Sequence, residues 1–458
     1  MADVRKGDAL EAVVERVVPG GEGLARAGGV VTLVAGALPG DRVRVRVDEV
    51  SARLIRGRAE AILEAGRSRR PDAEVCALAL RGACGGCDWP AARPDDHRAL
   101  KTQIVLDALR RLGGLAPGDL PEPRWLGSPP NYRVRNRLHV DREGRLGFFA
   151  PLSNAVADLE GCQIVSRPLR ERLPGLREHL RSFGPLEGDL LTLESRDGGT
   201  LLGELRLDEG HGLQISSKAR ERGRGPFDGL RVVDAGGRVV ASDGPSELVL
   251  RAGGVDFSVS VSSFFQGNLF LLDAFLEEIR AALRAGRGRE EFLRREEGDV
   301  GRSFRAVDLY AGVGFMTRPL LELAAETGGG DVTAVEIEAS SFHSLSKNLR
   351  SWHSEGLPLA GASRASAESF FHSKKSESPV SLLLADPPRA GLSPEVREGI
   401  LRFAPARVLM VSCDPATLAR DLAALKGRYA VTRLTLLDLF PQTHHVETAA
   451  LLAARPIG

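Results

Sequence analysis

Ala306-Val-Asp-Leu-Tyr-Ala-Gly-Val-Gly314 decides the fold of the larger part of this chain. Its first five residues read as an apolar strand. The Ala-Gly-Val-Gly turn then leads into a helix predicted over 315–325. Glycines at such a turn let the backbone approach a ligand with no Cβ in the way, and a helix N-terminus offers free N–H groups. The next strand, 331–335, ends in Glu336, the position from which a carboxylate reaches ribose hydroxyls in doubly wound sheets. Strand, turn and helix alternate from there onward, which predicts an open, mostly parallel α/β sheet. Two further strands deliver chemistry at their carboxyl ends, where ligands sit in such sheets. One ends in Asp386-Pro-Pro-Arg-Ala-Gly391 and the other in Ser412-Cys413-Asp414-Pro415.

A dinucleotide fingerprint wants a third glycine where this chain has Thr317, so the loop resembles the S-adenosylmethionine loop of class I methyltransferases more than a nicotinamide site. Gly312, Gly314 and Glu336 are the cofactor-binding candidates from this segment. A lone cysteine is ordinarily a small buried hydrophobe. Cys413 stands instead at a strand end, before Pro415 and a helix starting near Thr417, where a helix dipole and a ligand can both reach the thiol. Near the C-terminal end of the chain, His444, His445 and Glu447 precede a final strand; Glu447 reads equally well as a solvated strand-end acid.

Upstream, 458 residues allow about three domains. Hydrophobic residues at 43% and charged residues at 27% exclude wholesale disorder. A net charge of +1 means that any nucleic-acid partner must be met by a local basic patch. Residues 8–63 read as short strands separated by Gly and Pro turns. Within them Asp41-Arg-Val-Arg-Val-Arg-Val-Asp48 alternates strictly, which places Arg42, Arg44 and Arg46 on one strand face. That face is a candidate phosphate-binding stripe or a solvated strand face. A helix is predicted over 95–112, followed by a strand-rich mixed-sheet region with a second basic concentration around Arg133, Arg135 and Arg137. The charged, glycine-rich stretch 286–305 reads as a linker or mobile insertion. No apolar run is long enough to span a membrane, and the first residues lack the apolar core of a signal peptide, so a cytoplasmic protein is expected.

Five cysteines is an odd number, and in a reducing compartment such thiols are buried, catalytic or metal-bound. Besides Cys413 there are Cys76, Cys84 and Cys87 in a C-x7-C-G-G-C arrangement, with Cys162 far downstream. Four thiolates with two wrapping glycines suit a [4Fe-4S] cluster or a tetrahedral zinc.

EGLAR and VAGALPGDRVRVRV in the first 63 residues resemble a TRAM domain, a small β-barrel found on RNA-modifying enzymes. FSVSVSSFFQGN, DLYAGVG, DPPRAGL, VSCDPATLARDL and DLFPQTHHVET, in this order, resemble the RNA (uracil-5)-methyltransferase family. The resemblance implies Cys413 as nucleophile and Glu447 as base, with Gln266, Tyr310, Glu336 and Asp386 holding S-adenosylmethionine. It further implies an iron-sulfur cluster on Cys76, Cys84, Cys87 and Cys162. The chemistry needs these residue types. Thiolate addition at C6 gives uracil C5 carbanion character, and after methyl transfer a carboxylate must take the C5 proton before the thiolate leaves. Three positions depart from the family pattern. Ala311 stands for a common cysteine, Phe315 for a common asparagine that would give a polar contact to the cofactor, and Asp414 for an asparagine. A carboxylate beside the thiol disfavours the thiolate unless a cation offsets it.

The expected architecture is therefore multi-domain: a TRAM/OB-like β-barrel over 1–63, an α+β cluster-bearing domain over 64–96 and 122–255, and a Rossmann-like class I methyltransferase domain over 97–121 and 256–458. The expected substrate is a uridine in RNA, with 23S rRNA ahead of tRNA because a TRAM-like start and a cluster together resemble the ribosomal-RNA enzymes. A non-catalytic RNA-binding relative is the alternative. A monomer is expected.

Overall fold

The computed structural model describes residues 4–209, 212–285, 304–373 and 380–456; most of the expected 286–305 insertion lies outside them. Strands Ala9–Val17, Gly23–Ala27, Val30–Ala35, Leu54–Glu64 and Arg42–Val50, in that order, close into a barrel. The alternation around Arg42 sets its inside and outside. Val43, Val45 and Val47 are buried and pack with Val14, Ala25 and Val34, and each buried valine contributes about 1.5 kcal/mol. Closure demands Gly57, where a Cβ would lie 2.3 Å from the Arg46 carbonyl. Strand Gly23–Ala27, which holds all of EGLAR but its glutamate, adds an element that the reading of short strands did not separate.

The barrel is seated on the rest of the chain. Val17 and Leu38 form one apolar cluster with Trp89, Ala92, Leu100 and Ile104, and the Trp89 indole N–H donates to the Gly21 carbonyl at 2.8 Å.

The central region is a seven-stranded mixed sheet running Val239–Asp243, Gly229–Val233, Leu201–Leu207, Gly188–Glu194, Arg135–Val140, Leu146–Phe149, Val156–Asp158. Only the Leu201–Leu207 and Gly229–Val233 pair is parallel. Helix Arg167–Ser182 covers it with Leu169, Leu173, Leu176 and Leu180 on one buried stripe; the Ser166 hydroxyl caps its first turn.

The C-terminal sheet has eight strands in the order Gly361–Ser363, Gly330–Val335, Phe304–Leu309, Leu382–Ala385, Arg407–Ser412, Glu447–Ala454, Tyr429–Leu437, Arg124–Leu126. Pairing is parallel through the middle and antiparallel around Glu447–Ala454. The near-continuous burial of Leu382–Ala385 and Arg407–Ser412 follows from helices covering both faces. Helix His97–Arg111 packs Val105, Ala108 and Leu109 against Leu418, Ala419 and Leu422 of helix Pro415–Leu425. The expected division at residues 122 and 255 needs correction. Arg124–Leu126 forms the eighth strand of the C-terminal sheet. Hairpin Glu247–Ala252 with Val255–Ser260 contributes Leu250, Ala252 and Phe257 to the same core as Trp352 and Leu320. Among the described residues no helix is long and apolar enough to cross a membrane.

Candidate active site

Strand Phe304–Leu309 ends in Tyr310, whose φ of +61° turns the chain into the loop, with Gly312 and Gly314 also at positive φ. The loop borders a cleft lined by Phe264, Gln266, Tyr310, Gly312, Phe315 and Asp386, among others. The two glycines differ in purpose. A Cβ on Gly312 would meet nothing within 4 Å, which leaves the backbone open to a ligand, whereas one on Gly314 would press on Leu345 and Trp352 at 3.0–3.1 Å. Gly314 is thus explained by packing. Glu336 closes the far side of the loop: its carboxylate accepts the Gly312 N–H at 2.8 Å and the Glu338 N–H at 2.6 Å. Phe315 does not face a polar contact. It stacks in an aromatic cluster with Phe257, Phe265 and Phe275 at centroid distances of 5.4–5.7 Å.

Beneath the loop lies Asp308, the first residue of DLYAGVG, which was not among the candidate site residues. It is fully buried, accepts the Thr317 hydroxyl at 2.5 Å, and has one carboxylate oxygen without a partner. Burial, helped by Asp386 and Glu336, pushes its carboxyl up to about 7.

Strand Arg407–Ser412 places Cys413 beside this cleft. Burial pushes the thiol up to about 11, Glu447 and Asp386 add to the rise, and Arg389 opposes it. Asp386 is pushed up to about 7 by burial. Burial first, then Asp386, raises Glu447 well above the usual carboxylate range, again against Arg389, and Glu447 Oε1 has no hydrogen-bond partner. The sequence candidates Cys413, Asp386 and Glu447 are therefore one electrostatic unit, and the cation that balances them is Arg389 of the Asp-Pro-Pro-Arg turn. Arg389 donates to His445 Nε2 at 3.0 Å, which requires a neutral imidazole. Burial, with His444 and Arg389 nearby, pushes His445 down to about 3. The expected conflict between Asp414 and the thiolate is corrected by the helix that follows. Asp414 is the N-cap of Pro415–Leu425, and its carboxylate accepts two backbone N–H groups.

The loop before Glu447 is held by a buried cation. Lys101 Nζ, on helix His97–Arg111, donates to Asp438, to the Phe440 carbonyl at 3.1 Å and to the His445 carbonyl at 2.7 Å. Neither Lys101 nor Asp438 was among the sequence candidates.

The four remaining cysteines gather on the central sheet. Cys84 and Cys87 pack with buried Cys162 against the core that holds Phe148. The two glycines between them are dictated by that approach: a Cβ would lie 3.0 Å from the Phe149 carbonyl at Gly85 and 2.8 Å from the Phe148 ring at Gly86. The Gly86 N–H donates to Cys84 Sγ at 3.4 Å, and Ile164 and Val165 N–H groups point at Cys162. Burial raises the thiols of Cys84, Cys87 and Cys162, and each of the three is further raised by Cys76.

The arginine candidates are mostly engaged locally. Arg42 pairs with Glu11 and Glu64, Arg46 with Glu60, and Arg137 with Asp189. Arg133 lies over the Phe148 ring. Arg135 lies over Phe264, 5.9 Å from its centroid, and burial beside Arg133 and Arg206 pushes it down to about 10. Arg44 projects from the barrel strand into solvent.

A doubly wound sheet with a ligand-facing glycine, a strand-end Glu336 and a cleft at the strand carboxyl ends is the architecture expected of a class I methyltransferase. Residues 307–455 match the family model described as tRNA (Uracil-5-)-methyltransferase, and residues 3–59 match the TRAM domain. An uncharacterized RNA methyltransferase of Corynebacterium efficiens is 31% identical over 99% of this chain and 96% of its own length. One from Thermosynechococcus vestitus is 30% identical over 98% of each. The crystal structure of the Pyrococcus abyssi tRNA (uracil-54, C5)-methyltransferase in complex with S-adenosyl-L-homocysteine shares the fold with a TM-score of 0.70, at 20% identity over 97% of this chain and 100% of that one. The chain belongs to the RNA (uracil-5)-methyltransferase family and is an S-adenosylmethionine-dependent RNA methyltransferase.

Proposed function

We propose that the chain methylates C5 of a uridine in RNA through a covalent bond between Cys413 and C6. The observation that carries this reading is the convergence of Cys413, Asp386, Glu447 and Arg389 beside the cleft. Bound S-adenosylmethionine supplies an electrophilic methyl group. Gln266, Tyr310, Gly312, Glu336 and Asp386 hold it, with Gly314 shaping the loop from behind. The Cys413 thiolate, favoured by Arg389, adds to C6. After methylation the unpartnered Glu447 oxygen takes the C5 proton, C5=C6 re-forms, and the sulfur leaves with its bonding electrons. RNA containing 5-fluorouridine, whose C5 fluorine cannot leave as a proton, should trap wild type in a denaturation-resistant complex; Cys413→Ala should give none. Absence of any wild-type adduct with cofactor bound would favour a non-catalytic RNA-binding protein.

Cys76, Cys84, Cys87 and Cys162 fit a [4Fe-4S] cluster that staples the central domain. Among the described residues no three of these sulfurs come within 4.8 Å of one another. A single zinc at about 2.3 Å from each sulfur would need them about 3.8 Å apart. Anaerobically purified protein should hold about four irons per chain; stoichiometric zinc without iron would exclude the cluster.

The substrate we propose is 23S rRNA, because the chain combines a TRAM domain with the four-cysteine set. Transfer RNA is the second reading, favoured by the fold shared with the Pyrococcus abyssi enzyme over nearly the whole chain. Arg44, with Arg42, Arg46, Arg133, Arg135 and Arg137, would meet RNA phosphates. Mapping 5-methyluridine in both RNAs, with and without the gene, decides between the two.

A further inference from the structure

The run from Phe440 to Glu447 touches both halves of the four-cysteine site. Cys87 and Cys162 are 75 positions apart in the chain, yet Gln442 meets the loops of both. The Cys87 thiol donates to Gln442 Oε1 at 3.7 Å, a contact that a metal-bound thiolate keeps only with the amide turned to present Nε2, and the Gln442 carbonyl accepts the Trp89 N–H at 2.9 Å. Gln442 Nε2 donates to Gln163 Oε1 at 3.2 Å, one residue beyond Cys162. The neighbouring residues add two ties. Pro441 accepts the Tyr132 hydroxyl at 3.4 Å, and His444 Nδ1 pairs with Asp88 Oδ2 at 2.8 Å, one residue beyond Cys87. On its other side the same run enters the active site, with His445 against Arg389 and Glu447 opening the strand beside Cys413. Gln442 itself is buried and adopts φ +67°, which the backbone of a non-glycine residue keeps only where its surroundings hold it.

We propose that Gln442 is a positioning residue that ties Glu447 to the four-cysteine site, so that loading of that site with metal sets the base for proton removal. The inference rests on the proposed covalent mechanism and isolates one step of it. With the strap loosened, the carboxylate is displaced from C5 while the thiol and the cofactor cleft are untouched. Addition and methylation proceed; proton transfer to Glu447, re-formation of C5=C6 and release of the Cys413 sulfur are slowed.

The test uses the full-length protein and ordinary uridine RNA. Gln442→Met keeps the side-chain volume and removes the amide. It should accumulate a denaturation-resistant protein–RNA complex whose decay is slower than wild type by about tenfold or more, the scale on which small misplacements of a reacting group act. KM for RNA should stay within a small factor while kcat falls. Gln442→Asn, which keeps an amide and tolerates positive φ, should lie between the two. Wild type stripped of metal by chelation should show the same slow decay, and in both proteins hydrogen exchange over 439–447 should accelerate. Asp88→Ala, which cuts the separate tie to His444, gives an independent arm should Gln442→Met fail to fold. Decay at the wild-type rate in folded, metal-loaded Gln442→Met would overturn the positioning role. Decay at the loaded rate in stripped wild type would overturn the coupling to metal. Failure of wild type to form the 5-fluorouridine adduct would instead remove the covalent mechanism itself.

Discussion

The carboxylate of Asp414, the residue after Cys413, accepts the backbone N–H of Thr417 at 2.9 Å. What looks in sequence like a charge set against the nucleophile is the cap of the helix that follows it. Asp414→Ala should therefore cost about 1 kcal/mol of stability, as for other N-caps. Asp414→Asn should be near neutral in both stability and adduct formation. A large gain in Cys413 reactivity in either variant, measured by alkylation at fixed pH, would contradict the capping role.

Arg389 is the cation that favours the Cys413 thiolate. With the thiol at about 11, alkylation by iodoacetamide should rise with pH up to that value. Removing the cation raises the thiol further, so Arg389→Gln should react more slowly than wild type at pH 8. Well below its titration point, a thiol raised by one pH unit presents about tenfold less thiolate. An unchanged alkylation rate would show that the guanidinium does not act on the sulfur.

Asp308 titrates near 7 in the folded protein, above its unfolded value. The folded state then binds the extra proton, and its contribution to stability is lost as pH rises from about 4 through 7. Asp308→Asn keeps an acceptor for Thr317 and removes that dependence. Its thermal midpoint relative to wild type should climb between pH 5 and pH 8; a constant difference would refute the assignment.

Lys101 is buried without solvent and is bonded to Asp438 and two carbonyls of the loop before Glu447. Lys101→Met removes the buried ammonium and leaves the Asp438 carboxylate facing His97 Nδ1 at 3.6 Å, and should lower stability by about 3 kcal/mol. Asp438→Asn added to Lys101→Met should recover part of that loss in denaturant titrations. A Lys101→Met protein as stable as wild type would show that the ion pair is not the anchor of the loop.

What was legible in the sequence depended on how local its cause is. DLYAGVG and the strand-end acids announce themselves because glycine freedom, burial and position at a strand end act over a few residues. The leucine spacing of Arg167–Ser182 was there to be read, at Leu169, Leu173, Leu176 and Leu180, but prolines and glycines within and after it masked the period. Arg389 and His445 stand inside recognisable motifs, but nothing local shows that the two meet, and Lys101 carries no local signal at all. Lys101 meets its carboxylate 337 residues away, and only the assembled fold brings the two together. The arginine stripe is legible only in part. Alternation correctly predicted a shared strand face, yet it cannot show that Glu11, Glu60 and Glu64 occupy the same face of neighbouring strands.

Trp89 gives the small barrel a second meaning. The indole and its neighbours Leu100 and Ile104 are covered by Val17 and Leu38. To excise the first 63 residues is therefore to unroof the enzyme's own interior, exposing side chains worth about 1.5–3 kcal/mol each when buried. The barrel is an architectural keystone as much as an appendage for RNA.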